Sequence, residues 1–158
     1  MQKTAILEKI IAGLKVELET YTRVAKASHQ EATAEENRAE NKYDTRGLEA
    51  SYLASGQANK VADLEDAIGA FEDMKARSFD DSTIDLGTLV ELDQDGEKSY
   101  YFIGPSAGGT EITDGEREVL VITSQSPLGS QLQGRKKGDR LELTLSGVKQ
   151  QIQIINVC

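Results

Sequence analysis

Four carboxylates, Glu35, Glu36, Glu40 and Asp44, crowd one short polar stretch that reads T-A-E-E-N-R-A-E-N-K-Y-D-T-R-G from Thr33 to Gly47. Among them stands a single large ring, Tyr43. Such a concentration of negative charge can attract a basic protein surface. It can equally be the solvated end of a helical hairpin. The other reactive side chains are isolated. His29 is the only histidine and has no metal-ligand companions in sequence, so it reads as a solvated surface residue. Cys158 is the only cysteine, so no intramolecular disulfide can form, which fits a reducing compartment. Its sequence neighbours show no metal-site spacing, and it reads as an incidental terminal residue.

Two periodic segments flank the acidic stretch and must position it. In the first, Leu7, Ile11, Leu14, Leu18, Tyr21, Ala25, Ser28 and Ala32 alternate in steps of four and three, the spacing of a heptad seam. In the second, Leu53, Val61, Leu64, Ile68 and Phe71 share a helical face, with Ala50, Ala54 and Ala58 near its start. Both seams carry small residues next to the acidic stretch and large ones far from it. The gradients match when the helices fold back on each other. That pairing predicts an antiparallel coiled-coil hairpin over residues 1–77, with its tip near 33–47. Each arm would be about 30 residues, or roughly 45 Å, long. Smaller seam residues bury less apolar area, so the distal part is the softer part. A parallel homodimeric coiled coil is the rival arrangement. Gly47, Gly56 and Gly69 each weaken the second helix by roughly 1 kcal/mol against Ala, and Gly47 marks its expected start.

After Arg77 the periodicity changes. The acidic run over residues 78–86 reads as a linker, and residues 87–158 read as a small α+β domain. Gly87–Leu92 and Lys98–Ile103 form a hairpin around D-Q-D-G. G-P-S-A-G-G-T reads as a loop, and Glu118–Thr123 as a central strand. Ser126 and Pro127 open a short helix as N-cap and first helical residue, with Gly134 beyond its end. R-K-K-G-D is a turn before Arg140–Leu145 and Gln150–Val157, two alternating strands joined near Ser146-Gly147. The expected sheet is mainly antiparallel with about five strands.

Composition narrows the function classes. The chain has 158 residues, of which 38% are hydrophobic and 28% charged, with no Trp. That is lean for one compact core and suits a thin helical part attached to a small globular one. The formal net charge of −9 argues against independent DNA or RNA binding and against anionic membranes. The N-terminal sequence carries Glu8 within its apolar region and does not read as a signal peptide. No apolar run approaches the roughly 20 residues that span a bilayer. A soluble, cytoplasmic monomer is the expectation.

Ser126 to Leu143, S-P-L-G-S-Q-L-Q-G-R-K-K-G-D-R-L-E-L, resembles the C-terminal signature of the Gre family of bacterial transcript cleavage factors. Ser126, Pro127, Leu132, Gly134, Gly138, Asp139, Leu141 and Leu143 stand in the family's places. The resemblance covers nearly the whole chain. It implies a long antiparallel coiled coil before an FKBP-like domain, and bacterial RNA polymerase as the partner. It further implies that the domain docks at the rim of the polymerase secondary channel, with Ser126, Pro127, Gly134, Gly138 and Asp139 as docking positions. The same five residues also suit plain turn-building. The coiled coil is then expected to reach the active centre, where Glu36, Glu40 and Asp44 form the acidic set. In the family, tip carboxylates help to hold a Mg²⁺ that is shared with polymerase, and the backtracked RNA 3′ end is hydrolysed. Glu36 and Glu40 are the expected metal-facing pair, since Mg²⁺ prefers oxygen ligands. No cofactor is expected in the isolated protein, which would be no enzyme alone. The family tip reads Asp, two residues, Glu-Asn, then Ala-Glu-Tyr. Aligning on Glu40-Asn41 puts Asn37 at the Asp place, and aligning on Glu36-Asn37 puts Thr33 there. A channel regulator without cleavage activity is therefore the second reading, and a coiled-coil adaptor unrelated to polymerase the third. Prolyl isomerase activity, which the FKBP-like fold raises, wants an apolar, aromatic-lined pocket. The C-terminal half offers only Phe79, Tyr100, Tyr101 and Phe102, three of them consecutive on one strand.

Overall fold

The structure is a computed structural model that describes residues 3–38, 46–75 and 82–158, except for the side chains of 28–38, 46–55, 57 and 145. Two helices come first, α1 (Lys3–Arg38) and α2 (Arg46–Lys75). There follow β1 (Leu89–Gln94), β2 (Glu97–Ile103), β3 (Glu111–Asp114), β4 (Arg117–Ile122), α3 (Pro127–Leu132), β5 (Arg140–Leu145) and β6 (Val148–Val157). The architecture is α+β, a helical hairpin followed by a mainly antiparallel sheet.

The chain divides into two compact units, Met1–Ile11 with Gly69–Cys158, and Ala12–Ile68. The start of α1 and the end of α2 thus belong to one unit, as antiparallel helices require. Within the unit Ala12–Ile68, Lys60 lies 3.8 Å from the Glu17 carboxylate, and its Nζ sits 5.6 Å from the centroid of the Tyr21 ring.

Burial along the helices is wider than a single seam. Ile6 and Ile10 are buried beside Leu7, Ile11 and Leu14, and on α2 Ala67 and Met74 join Leu64, Ile68 and Phe71. In the unit with the sheet the reason is visible. Phe71 stacks on Phe102 of β2 with ring centroids 6.3 Å apart. A helix end with a sheet face beside it needs apolar residues on more than one flank.

The sheet has six strands in the order β3-β4-β2-β1-β6-β5. Only β2 and β4 pair in parallel, with Tyr100 opposite Val119 and Ile103 opposite Ile122. The other neighbours are antiparallel. At the β1–β2 turn, Asp95 and Gly96 both take positive φ (53° and 88°). This is the two-residue geometry that matches strand twist and favours Asp-Gly. The Asp93 carboxylate accepts the Gly96 N–H at 2.8 Å. Ser146 and Gly147 make the equivalent turn between β5 and β6.

Side chains alternate between the two faces of the sheet. One face carries the main core: Val90, Leu92, Ile103, Leu141, Ile152 and Ile154, among others, with Leu132 of α3. Tyr101 packs partly buried against that core, whereas Phe102 meets Phe71 on the opposite face. Each fully buried aliphatic side chain contributes about 1.5–3 kcal/mol. Gly104 follows β2 where the backbone passes close to its neighbours. A Cβ there would lie 2.8 Å from Val121 Cγ1 and 2.9 Å from the Phe71 ring.

Two features carry little sequence signal. Strand β3 is four residues long, and only Ile112 in it is buried. In the polar run before β1, Ile84 is fully buried within the main core. Its N–H donates to the Arg135 carbonyl and its own carbonyl accepts the Gly134 N–H, both at 2.8 Å.

Candidate docking site

The signature residues follow one another around α3. Ser126 is its N-cap, with extended backbone (φ −67°, ψ 155°). Its Oγ accepts the Gly129 N–H at 3.0 Å and donates to the Thr123 carbonyl at 2.7 Å. One hydroxyl thereby satisfies a free helical donor and ties the helix to the end of β4. Pro127 takes the first helical position, where its missing N–H costs nothing. Gly129 is buried, and a Cβ there would overlap the Thr123 carbonyl oxygen. Only glycine fits. The helix buries Leu132 and ends after it.

The chain then turns into β5 through a loop fastened by several hydrogen bonds. Gly134, at φ 79°, donates its N–H to Ile84 O. The Arg135 guanidine Nε donates to the Gln131 carbonyl at 2.6 Å. Asp139 Oδ2 accepts the Lys136 N–H at 2.9 Å, and the Asp139 N–H donates to the Lys136 carbonyl at 3.1 Å. Gly138, at φ 92°, donates to Ile154 O, and Ile154 N–H donates back to Asp139 O. Gln133 reaches to Asp85 Oδ1 at 2.8 Å. That bond, with the Leu86 N–H, holds the Asp85 carboxyl below the usual carboxylate range.

The five expected docking residues therefore lie in one short run that β4, β5, β6 and the segment around Ile84 hold in place. Pro127, Gly134, Gly138 and Asp139 are exposed, and Ser126 is half-buried. The bonds described for Ser126, Gly134, Gly138 and Asp139 build a cap and a turn and fasten that turn to Ile84 and Ile154.

A second fixed point lies at the base of α1. Lys9 Nζ donates to Asp114 Oδ1 at 2.6 Å and to the Thr113 carbonyl at 3.1 Å. The Lys9 ammonium holds the Asp114 carboxyl below its ordinary range. This pair joins the start of α1 to the β3–β4 turn. The sequence offered no sign of it, since β3 itself was silent.

At the acidic stretch, α1 continues through Glu36 to Arg38. Glu40 and Asp44 lie outside the described residues, as does the side chain of Glu36. Among the described residues, no group of three or more His, Cys, Asp or Glu side chains could hold a metal ion. No described helix is long and apolar enough to cross a membrane. A groove of about 590 Å³ opens beside β2 and β4, where Tyr100 and Tyr101 share the wall with Lys98, Glu111, Arg117 and Glu118. The Arg117 guanidinium sits 5.4 Å from the Tyr100 ring centroid. This charged lining differs from the apolar, aromatic pocket that a prolyl isomerase needs.

No protein-family profile matches the sequence. Similarity to individual proteins is extensive. The transcription elongation factor GreA of Novosphingobium aromaticivorans is 31% identical over 141 residues, spanning 87% of this chain and 82% of that protein. The GreA of a Sulfurovum species is 25% identical over 158 residues, 98% of this chain and 93% of that protein. Among solved structures, Thermus aquaticus Gfh1 is similar at 24% identity over 92% of each chain, with a TM-score of 0.41. That global overlap is too low to establish a shared arrangement.

Proposed function

Because this chain belongs to the Gre family of transcription elongation factors, we propose that it binds bacterial RNA polymerase and stimulates the polymerase's own cleavage of backtracked RNA. The α3 region docks the sheet domain at the rim of the secondary channel. The helical hairpin enters the channel and carries Glu36, Glu40 and Asp44 toward the active centre. The observation that supports this reading most is the length of the similarity to GreA, which runs through hairpin and sheet domain alike.

Carboxylates suit the task by donor type, because Mg²⁺ is a hard cation that takes oxygen ligands. Too few converge in one chain to hold it alone, so polymerase supplies the remaining ligands. Bound there, Mg²⁺ supplies Lewis-acid stabilisation of the oxygens around the scissile phosphate. The contribution of this chain is to deliver and orient negative charge. The α3 region and the turn bonded to it hold the domain while the hairpin reaches inward.

One observation favours a second reading, a channel regulator without cleavage activity. Either alignment of the tip leaves a neutral residue, Asn37 or Thr33, where the family carries Asp. A photo-crosslinking residue at position 40 tests the shared part of both readings. Crosslinks to the polymerase active centre or the RNA 3′ end are expected, and crosslinks confined to the outer surface of polymerase would refute channel entry. Replacing Glu36, Glu40 and Asp44 together with Ala then separates the two. Under the first reading, RNA release is lost while polymerase binding remains.

A further inference from the structure

In a chain of net charge −9, three cations, Arg135, Lys136 and Lys137, fall in one turn beside α3, and a fourth, Arg140, opens β5 just after it. Lys136, Lys137 and Arg140 are exposed and Arg135 is half-buried. The turn is stiff, because backbone bonds fasten it to Ile84 on one side and Ile154 on the other. The one acid inside it, Asp139, already accepts the Lys136 backbone N–H. Arg140 lines a small cleft with Asp93 and Asp95, which offset part of its charge. Among the described residues, Lys136 and Lys137 have no ion-pair partner, whereas Lys9, Lys60, Lys98 and Lys149 each have one.

We propose that the Arg135–Lys137 turn is an electrostatic docking surface for an acidic segment of polymerase protein. This rests on the polymerase-binding reading above and names the chemistry of its partner surface. Arg135 is tied to the Gln131 carbonyl, but Lys136 and Lys137, on a backbone fastened at both sides and without an ion-pair partner among the described residues, are free to meet carboxylates without breaking existing pairs. A protein segment fits better than nucleic acid. A phosphate backbone would carry charge past this small patch toward Asp85, Asp93, Asp95 and Glu142, and residues 133–140 themselves carry no aromatic ring for bases to stack on. A short acidic segment can confine its contacts to the turn.

The test titrates dye-labelled full-length chain with polymerase core enzyme at low and moderate salt, and with a fluorescein-labelled single-stranded RNA. The variants are K136E/K137E, the milder K136Q/K137Q, and K149E as a charge reversal at the other end of the β5–β6 hairpin. Circular dichroism and melting confirm the fold of each, and K136Q/K137Q decides if the double reversal does not fold. The expected result is polymerase binding about tenfold or more weaker for K136E/K137E, weaker also for K136Q/K137Q, with a shallower salt dependence and K149E close to wild type. Wild-type binding matched by K136E/K137E overturns this proposal and leaves the polymerase reading standing. A K149E loss as large as that of K136E/K137E overturns it in favour of net charge alone. RNA binding by the wild type that K136E/K137E abolishes overturns it in favour of nucleic acid. A wild-type chain that does not bind polymerase at all overturns the polymerase reading, and this proposal with it.

Discussion

Ser126 concentrates two jobs in one hydroxyl, capping α3 and holding the Thr123 carbonyl. Ser126→Ala removes both, and a loss of about 1 kcal/mol is expected in denaturant unfolding. Gly129→Ala is the harsher change. Its new methyl meets a backbone oxygen that cannot move aside, so about 3 kcal/mol or displacement of α3 is expected. A melting temperature within a degree of wild type for Gly129→Ala would contradict this geometry. Asp114 gives a pH signature. Its carboxyl pKa is lowered on folding by Lys9, so the Lys9–Asp114 contribution is fully present above the unfolded value, about 3.9 for Asp. That contribution is lost as pH falls through the lower folded value. The stability gap between wild type and Asp114→Asn should therefore be steady near neutral pH and close in acid, as melting across pH would read. The sequence showed the cap, since Ser-Pro before a short apolar run is a local signal. It did not show why Gly129 must be glycine, because that requirement comes from a neighbouring strand end rather than from the helix itself.

Among the elements, the hairpin turns were the most legible. Asp95-Gly96 and Ser146-Gly147 carry the backbone conformations that their residue types favour. The strands they join followed from alternation. Strand β3 was not legible, because four residues with one buried side chain make no period. Its place at the sheet edge is set by pairing with β4, with Ile112 opposite Val119. Ile84 was likewise hidden, a single apolar residue in a polar run. Its burial predicts that Ile84→Ala costs about 3 kcal/mol in chemical unfolding, which a solvated residue would not. The helices were legible as periodic seams, but Ile6, Ile10 and Met74 fall outside those seams. Such positions are assigned only when the second neighbour of the helix is known.

At the scale of the whole molecule, the sequence gathers acid at one end of a hairpin and bare cations at a turn of the sheet domain. An acidic chain with such a local basic turn does not suit a nucleic-acid binder, whose cations would be spread along a phosphate track. It suits a protein-docked factor whose working end is acidic. Under the proposed function, the order of the acids between Thr33 and Gly47 is what would separate cleavage from simple occupancy, and that order is read from the sequence alone. The most direct measurement uses polymerase stalled in a backtracked state with labelled RNA and Mg²⁺, to which the full-length chain is added. Faster release of short 3′ RNA fragments, abolished when Glu36, Glu40 and Asp44 are all Ala, is the predicted result. Release at the rate of polymerase alone, under conditions where the chain is bound, would contradict it.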